Sequence, residues 1–267
     1  MKGNTLTKGI SVLLLIFVPF WLFGEPYNTP TIDGVISISP DDWDEDELVG
    51  DDPIDDSYWT GNEFRAIYLT YDATNLYIGL EFVVSDNAMI LYIESGIPGG
   101  VVDFNSTRGY SGAYPRNVVF PDTFGIDLLI GSWNGEGPYV YLTADSTSSE
   151  ITSLCRTATG DMFEQEIAIP WSVIYPDAEE VVFENVSMGL VGVIAGGDDY
   201  GAADAVPDNP TIDGGEGPHL LTEYITIPID ANGDGIPDFA GESINLSLIH
   251  ISEPTRLLSI SYAVFCL

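Results

Sequence analysis

The nine residues DANGDGIPD have the residue types and spacing of a calcium-binding loop. In such a loop, oxygen-bearing groups at positions 1, 3, 5, 7 and 9 converge on one ion, and a glycine at position 6 allows the sharp turn. An acidic linker remains the alternative, because Gly241 stands where an EF-hand has its bidentate acid. The calcium ligands that this spacing predicts are Asp230, Asn232, Asp234, Ile236 (through its carbonyl) and Asp238.

A second group of carboxylates lies near the start of the chain, in SPDDWDEDELVGDDPIDDSYWTGNE. Clustered like charges repel one another unless water or a metal ion surrounds them. The sequence therefore favours a solvated charged face here, with a further Ca²⁺ site as the alternative. The acids concerned are Asp41, Asp42, Asp44, Asp46, Asp51, Asp52, Asp55 and Asp56.

Aromatic residues near arginine and asparagine side chains form a third group. Sugar rings stack their apolar C–H faces on aromatic planes, and a small number of placed polar groups then provide specificity. Most tryptophans of a β-sandwich are core residues, so this prediction depends on the group and not on any one member. The candidate ligand-binding residues are Trp43, Trp59, Tyr110, Tyr114, Arg116 and Trp133.

The scarcity of histidine and cysteine excludes several kinds of catalysis. Before residue 246 the chain contains one histidine, His219, and one cysteine, Cys155. A Ser-His-Asp or Cys-His arrangement is hard to build around one histidine, read here as a surface loop residue, and a multi-histidine metal site cannot be built. A glycosidase that uses two carboxylates remains an alternative, although no pair of acids stands out.

The charge of the chain excludes other partners. The net charge is −35, and between residues 25 and 245 there is no lysine. Nucleic acids and anionic membranes are bound through Lys and Arg, so neither is expected as a partner. Such a charge also destabilises a compact fold unless it is screened, and either bound Ca²⁺ or a saline habitat would screen it.

Both ends of the chain differ from the part between them. Lys2 and Lys8 precede the apolar run ISVLLLIFVPFWLFG, and this pattern predicts a signal peptide over residues 1–24 and a secreted or cell-surface protein; a retained anchor is the alternative. Residues 246–267 can be written, at nineteen codons, as a translated sequencing adapter. We therefore expect a non-native tail there, preceded by a truncated calcium-loop-like linker over residues 230–245.

Between these ends the hydrophobic pattern is that of many short strands. In NLYIGLEFVV, the alternate residues from Leu76 to Val84 share one face. Two long acidic loops and one helical turn, PWSVIY, interrupt the series of strands. This pattern predicts an all-β, antiparallel, jelly-roll-like β-sandwich that forms a single domain over residues 25–230. The other strand candidates are EFRAIYLTYD, AMILYIES, RNVVF, FGIDLLIGSW, GPYVYLTAD, MFEQEIAIP, VSMGLVGVIA and LLTEYITIPI.

The order of several motifs resembles that of a known family. PTIDGVI, DDW, YLTYDATNLYIGLEFVVSDNAMILYIE, FGIDLLIG, EQEIAIPWSVI and LTEYITIPIDANGDGIPD follow one another as in the family 9 carbohydrate-binding modules and the related DOMON-like domain of glucodextranase-type proteins. The resemblance covers residues 31–230. It implies a β-sandwich, calcium, a core position for Trp171 and non-catalytic binding of polysaccharide or oligosaccharide. A structural or adhesive domain of the same fold, without a sugar site, is the alternative.

Overall fold

The computed structural model describes residues 28–54, 56–161, 163–178, 181, 183–230, 233, 235 and 237–240. The predicted signal peptide and the predicted adapter-derived tail lie outside these residues. The strands are β1 (Leu48–Asp51), β2 (Glu63–Tyr71), β3 (Asn75–Val83), β4 (Ala88–Glu94), β5 (Val118–Val119), β6 (Leu128–Trp133), β7 (Glu136–Ala144), β8 (Thr147–Glu150), β9 (Arg156–Thr159), β10 (Glu164–Pro170), β11 (Ser187–Ala195), β12 (Ala202–Val206), β13 (His219–Leu220) and β14 (Ile225–Pro228), and the α-helix is α1 (Trp171–Ile174).

Two antiparallel sheets pack against each other. The smaller sheet has the order β1-β2-β3-β10-β9, and the larger has the order β12-β11-β4-β6-β7-β8. Strand β14 pairs with the first half of β11, whereas β12 pairs with its second half. Strands β5 and β13 form a separate short parallel pair. The prediction of an all-β antiparallel sandwich is confirmed.

Strand β3 shows how alternation places the core. Leu76, Ile78, Leu80 and Phe82 are no more than 1% exposed and belong to the cluster between the two sheets. Tyr77 points to the opposite face, where it belongs to a separate small cluster. The sharing of one face that the sequence predicted for this strand is therefore confirmed, and burial of these side chains is the main force that holds the sheets together.

The outer faces of the two sheets are also covered in part. The outer face of the larger sheet carries a second cluster, in which Tyr92 of β4 packs on Phe104 and Phe120 with ring centroids 4.7 and 5.1 Å apart. The outer face of the smaller sheet is covered by the segment that precedes β1, through Trp43. Near β6 and β7 the cover of the larger sheet ends, and Tyr139 is 37% exposed.

Glu166 on β10 joins the N-terminal segment to the smaller sheet. One carboxylate oxygen accepts a hydrogen bond from Trp43 Nε1 at 2.7 Å, and the other accepts from the N–H groups of Gly34 at 2.6 Å and Asp33 at 2.9 Å. Burial raises the pKa of Glu166, and these hydrogen bonds oppose the rise. The motifs PTIDG, DDW and EQEIAIPW therefore meet at one carboxylate.

The segments predicted as long acidic loops contain strands. Strand β1 lies in the first and β12 in the second, so the prediction of uninterrupted loops is wrong. The predicted helical turn at PWSVIY is confirmed by α1. Among the described residues, the helical segments are too short and too polar to cross a lipid bilayer.

Candidate functional site

An open cleft of about 530 Å³ lies beside the uncovered part of the larger sheet. Three aromatic side chains line it: Tyr114, Trp133 from the end of β6, and Tyr141 from β7. Arg116 and Asp198 are the charged residues of the lining, which Ala113 and Gly197 complete. Three of the seven described lining residues are aromatic and two are charged, so flat apolar surface lies beside a small number of polar groups, as in many small-molecule and sugar sites.

The Tyr114 ring packs closely on β6 because Gly131 of that strand has no side chain. A Cβ added to Gly131 would lie 2.4 Å from the Tyr114 ring, closer than real Cβ atoms approach. Tyr114 also has a φ of 50°, in the left-handed region that non-glycine residues seldom adopt, so its backbone carries strain at the site. Its ring centroid is 6.1 Å from that of Tyr141, at an interplanar angle of 67°.

Both tyrosine hydroxyls of the cleft can donate hydrogen bonds. Burial raises the pKa of Tyr114 and of Tyr141 above the usual value, so the hydroxyls stay protonated over the whole physiological range. Trp133 is 37% exposed and presents part of its indole to solvent. The cleft therefore combines flat apolar surface with hydroxyl donors and one exposed carboxylate, that of Asp198.

Arg116 supports the cleft from below. Its side chain is 2% exposed, its Nη1 donates to the Pro115 carbonyl at 2.7 Å, and its guanidinium carbon lies 5.6 Å from the Tyr114 ring centroid. Burial lowers the pKa of Arg116, and the Asp198 carboxylate 3.8 Å away opposes that effect. Arg116 is therefore placed to hold the Tyr114 ring, and its direct contact with a ligand stays a prediction.

Two further predicted ligand-binding residues belong to the core. Trp43 is 0% exposed and donates to Glu166, and Tyr110 is 3% exposed and packs on Phe104 with ring centroids 4.8 Å apart. Neither side chain can stack on a sugar, so a ligand-binding role for them is corrected to a structural one. Trp59 is half-buried and lies outside the lining of the cleft.

Sequence reasoning missed Tyr141 and Asp198. The alternation in PYVYLTA contains a signal for the first, because Val140 is buried in the core between the sheets and both Tyr139 and Tyr141 must then face outward. Asp198 has no such signal, since it is one of many acids in its segment. His219, expected at the surface, is 2% exposed, and its Nδ1 lies 2.6 Å from the Thr211 carbonyl oxygen.

Four carboxyl groups converge on the edge of the sandwich, and we call them the acidic cluster: Asp52, Asp56, Glu63 and Asp204. Each offers an oxygen atom, and all four oxygens lie within 4.8 Å of one another. Carboxylate oxygens at such distances can hold a hard divalent cation. The alternative that the sequence left open for the first loop, a further cation site, thus has a geometric basis in two of its acids.

The acidic cluster spans both sheets. Asp52 follows β1 and Glu63 begins β2, both in the smaller sheet, whereas Asp204 lies in β12 of the larger sheet. Asp204 already links the sheets, because its carboxylate accepts a hydrogen bond from the N–H of Phe64 at 2.7 Å. The signal for Asp204 was its place as the one charged residue in AADAV, a strand that is buried along its whole length.

Burial and mutual repulsion shift the protonation of the acidic cluster. Burial, with the charge of Asp204 as the second cause, raises the pKa of Asp52 to about 9. Burial also raises the pKa of Asp204 to about 7, although hydrogen bonds from Phe64 and Ala205 oppose the rise. A bound cation would reverse this effect, because a nearby positive charge favours the ionised form.

The predicted calcium loop is described in part. Asp230 is 4% exposed, and its two carboxylate oxygens accept hydrogen bonds from the N–H groups of Gly233 and Gly235, each at 2.8 Å. Gly235 has a φ of 82°, as the sharp turn at position 6 requires. Asp238 is buried as well. The remaining predicted ligands Asn232, Asp234 and Ile236 lie outside the described residues, and calcium at this loop stays a prediction.

The fold defines the chain as an all-β antiparallel sandwich with an aromatic cleft on its larger sheet. Comparison of the sequence with models of known protein families finds no match, and a search of the curated proteins likewise finds none.

Proposed function

We propose that this chain is an exported, calcium-stabilised, non-catalytic module that binds polysaccharide. The observation that carries the proposal is the open cleft in which Tyr114, Trp133 and Tyr141 come together. The aromatic planes would stack on the apolar faces of sugar rings, and the hydroxyls of the two tyrosines would donate to ring or hydroxyl oxygens. Export rests on the signal-peptide pattern of residues 1–24.

The acids of the cleft favour binding over hydrolysis. Among the described residues that line the cleft, Asp198 is the one carboxylate, whereas glycoside hydrolysis requires two carboxyl groups on opposite sides of the scissile bond. An exposed carboxylate accepts hydrogen bonds from sugar hydroxyls without needing a partner. This arrangement supports a module that holds a sugar chain and leaves its bonds intact.

The acidic cluster supports the stabilising role of calcium. A cation held by Asp52, Glu63 and Asp204 would connect the edges of both sheets and replace the repulsion among these carboxyls with attraction. Any ligand that binds the folded chain and not the unfolded chain stabilises the fold. We therefore expect calcium to act on stability, and the sugar cleft to lie on the sandwich that calcium stabilises.

Retention of the full chain on a panel of insoluble and gel-embedded polysaccharides tests the proposal. Trp133→Ala should weaken retention about tenfold, equivalent to about 1.4 kcal/mol, because it removes the most exposed ring of the cleft. Leu154→Ala, which removes a side chain 57% exposed outside the cleft, serves as the matched control and should retain the parent affinity. The proposal fails if the parent chain binds no polysaccharide, or if Trp133→Ala binds as the parent does.

A further inference from the structure

We propose that the ligand is a linear, uncharged polysaccharide that extends from the cleft to a second aromatic subsite formed by Tyr58, Trp59 and Tyr200. This inference rests on the proposed function and adds the shape and charge of the ligand. The inference also gives a binding role to Trp59, which is a residue type on which sugars stack but lies outside the cleft lining.

The second subsite is a set of partly exposed rings on a well-ordered base. The ring centroids of Trp59 and Tyr200 are 5.9 Å apart, and Trp59 Nε1 donates to the Gly214 carbonyl at 3.1 Å. Tyr58 is 64% exposed and Tyr200 is 38% exposed. A Cβ added to Gly214 would lie 2.6 Å from the Cβ of Tyr58, so this glycine lets the two segments come together.

One turn of the chain connects the two subsites. Gly197 and Asp198 line the cleft, and Tyr200 belongs to the second subsite only two residues after Asp198. The Cα atoms of Asp198 and Tyr200 are about 7 Å apart at most, because the chain extends by no more than about 3.6 Å per residue. A chain of a few sugar units could therefore contact both subsites.

Hydrogen bonds hold this turn in place. The N–H of Asp199 donates to the Pro115 carbonyl at 2.9 Å, the N–H of Tyr200 donates to the Gly197 carbonyl at 3.0 Å, and the N–H of Asn117 donates to the Tyr200 carbonyl at 2.8 Å. These hydrogen bonds fix the backbone of the turn, so little ordering of the turn is needed when a ligand binds. Preorganisation of this kind favours affinity because it reduces the entropy lost on binding.

The polar groups along the path favour an uncharged chain. The Asp198 side chain lies in the cleft lining, two residues before Tyr200 in the sequence; it is 89% exposed and can accept hydrogen bonds from hydroxyls. The same carboxylate, together with the net charge of −35, repels uronates and sulfated sugars. Aromatic groups at two neighbouring subsites suit successive flat sugar rings, so the ligand is a linear polymer of neutral sugars.

Isothermal titration with oligosaccharides of two lengths tests the inference. The probes are the disaccharides and hexasaccharides of β-1,4-linked glucose, xylose and mannose, and a uronate hexasaccharide tests the charge. The parent chain should bind one neutral hexasaccharide at least about tenfold more tightly than its disaccharide, because the second contact forms within the same complex. Trp59→Ala should abolish this gain, whereas Trp133→Ala should weaken the binding of both lengths.

The variants separate a failure of the inference from a failure of the proposed function. Tyr58→Ala serves as a second variant that removes a mostly exposed ring, so its loss of the length dependence cannot be attributed to misfolding. Equal affinity for both lengths, persistence of the length dependence in Trp59→Ala and Tyr58→Ala, or tighter binding of the uronate would overturn the inference alone. Absence of binding at every length would overturn both.

Discussion

Replacement of Asp52 by asparagine should change how stability depends on pH. In the unfolded chain this carboxyl ionises above its ordinary pKa of 3.8, whereas in the cation-free fold its pKa is about 9. Between these values the unfolded state binds fewer protons than the folded state, so the free energy of unfolding falls as the pH rises. The amide that replaces the carboxyl does not titrate, and Asp52→Asn should therefore lose less stability than the parent from pH 4 to pH 8.

The size of the effect follows from the pKa. Each pKa unit corresponds to about 1.4 kcal/mol, which gives an upper limit of about 6 kcal/mol at pH 8. Because Asp52 is partly exposed and solvent screens its charge, we take a third of this limit, about 2 kcal/mol. For a domain of this size, 2 kcal/mol corresponds to a Tm that is about 4–8 °C higher for Asp52→Asn than for the parent at pH 8.

Thermal unfolding in EDTA at pH 4, 6 and 8, repeated with Ca²⁺, measures both parts of this expectation. In EDTA the Tm of Asp52→Asn should exceed that of the parent at pH 8 and not at pH 4. With Ca²⁺ the parent should gain more than the variant, because the variant lacks one ligand of the cluster. Asp51→Asn, with an exposed side chain next in the sequence, is the control. Parallel Tm curves for parent and Asp52→Asn at all pH values would refute the reasoning.

Two further substitutions test the scaffold and the cleft. Glu166→Gln should lower the free energy of unfolding by about 3 kcal/mol, because one amide oxygen cannot serve Trp43 Nε1 and the backbone donors together; urea unfolding measures this, and an unchanged midpoint would contradict it. Gly131→Ala should weaken polysaccharide retention about tenfold by displacing the Tyr114 ring; retention equal to that of the parent would show that this ring position is not needed.

The strands with full alternation could be predicted, because each buries one apolar face. Five of the described strands were missed from the sequence, namely β1, β8, β9, β12 and β13. Strands β1 and β12 show why, because β1 is short and β12 consists of small residues and one acid. Their strand conformation comes from pairing: β1 pairs with β2, and β12 pairs with β11. Such pairing depends on residues distant in the chain, so a local pattern contains little of the information.

The types of residue that line the cleft could be predicted from the sequence, but the individual residues that line it could not. Trp133 and Tyr114 were predicted because aromatic residues in loops and at strand ends suit sugars, yet Trp43 also lies in a predicted loop and is buried. Its indole N–H bonds Glu166, which lies 123 residues further along the chain. The acidic cluster was hidden for a similar reason, since three of its members come from the first acidic segment and Asp204 comes from the second, and only the packing of the sheets brings them together.

The residues hydrogen-bonded to Glu166 stabilise the fold, and they are distinct from the residues that line the cleft. The residues that meet at this carboxylate, Gly34 and Trp43 among them, lie on the smaller sheet, and the aromatic cleft lies beside the larger one. A chain that contains the Gly34–Trp43–Glu166 set can build this corner of the sandwich whatever its cleft residues are. Relatives in architecture should therefore be sought with those three positions, and relatives in ligand with the three aromatic positions of the cleft.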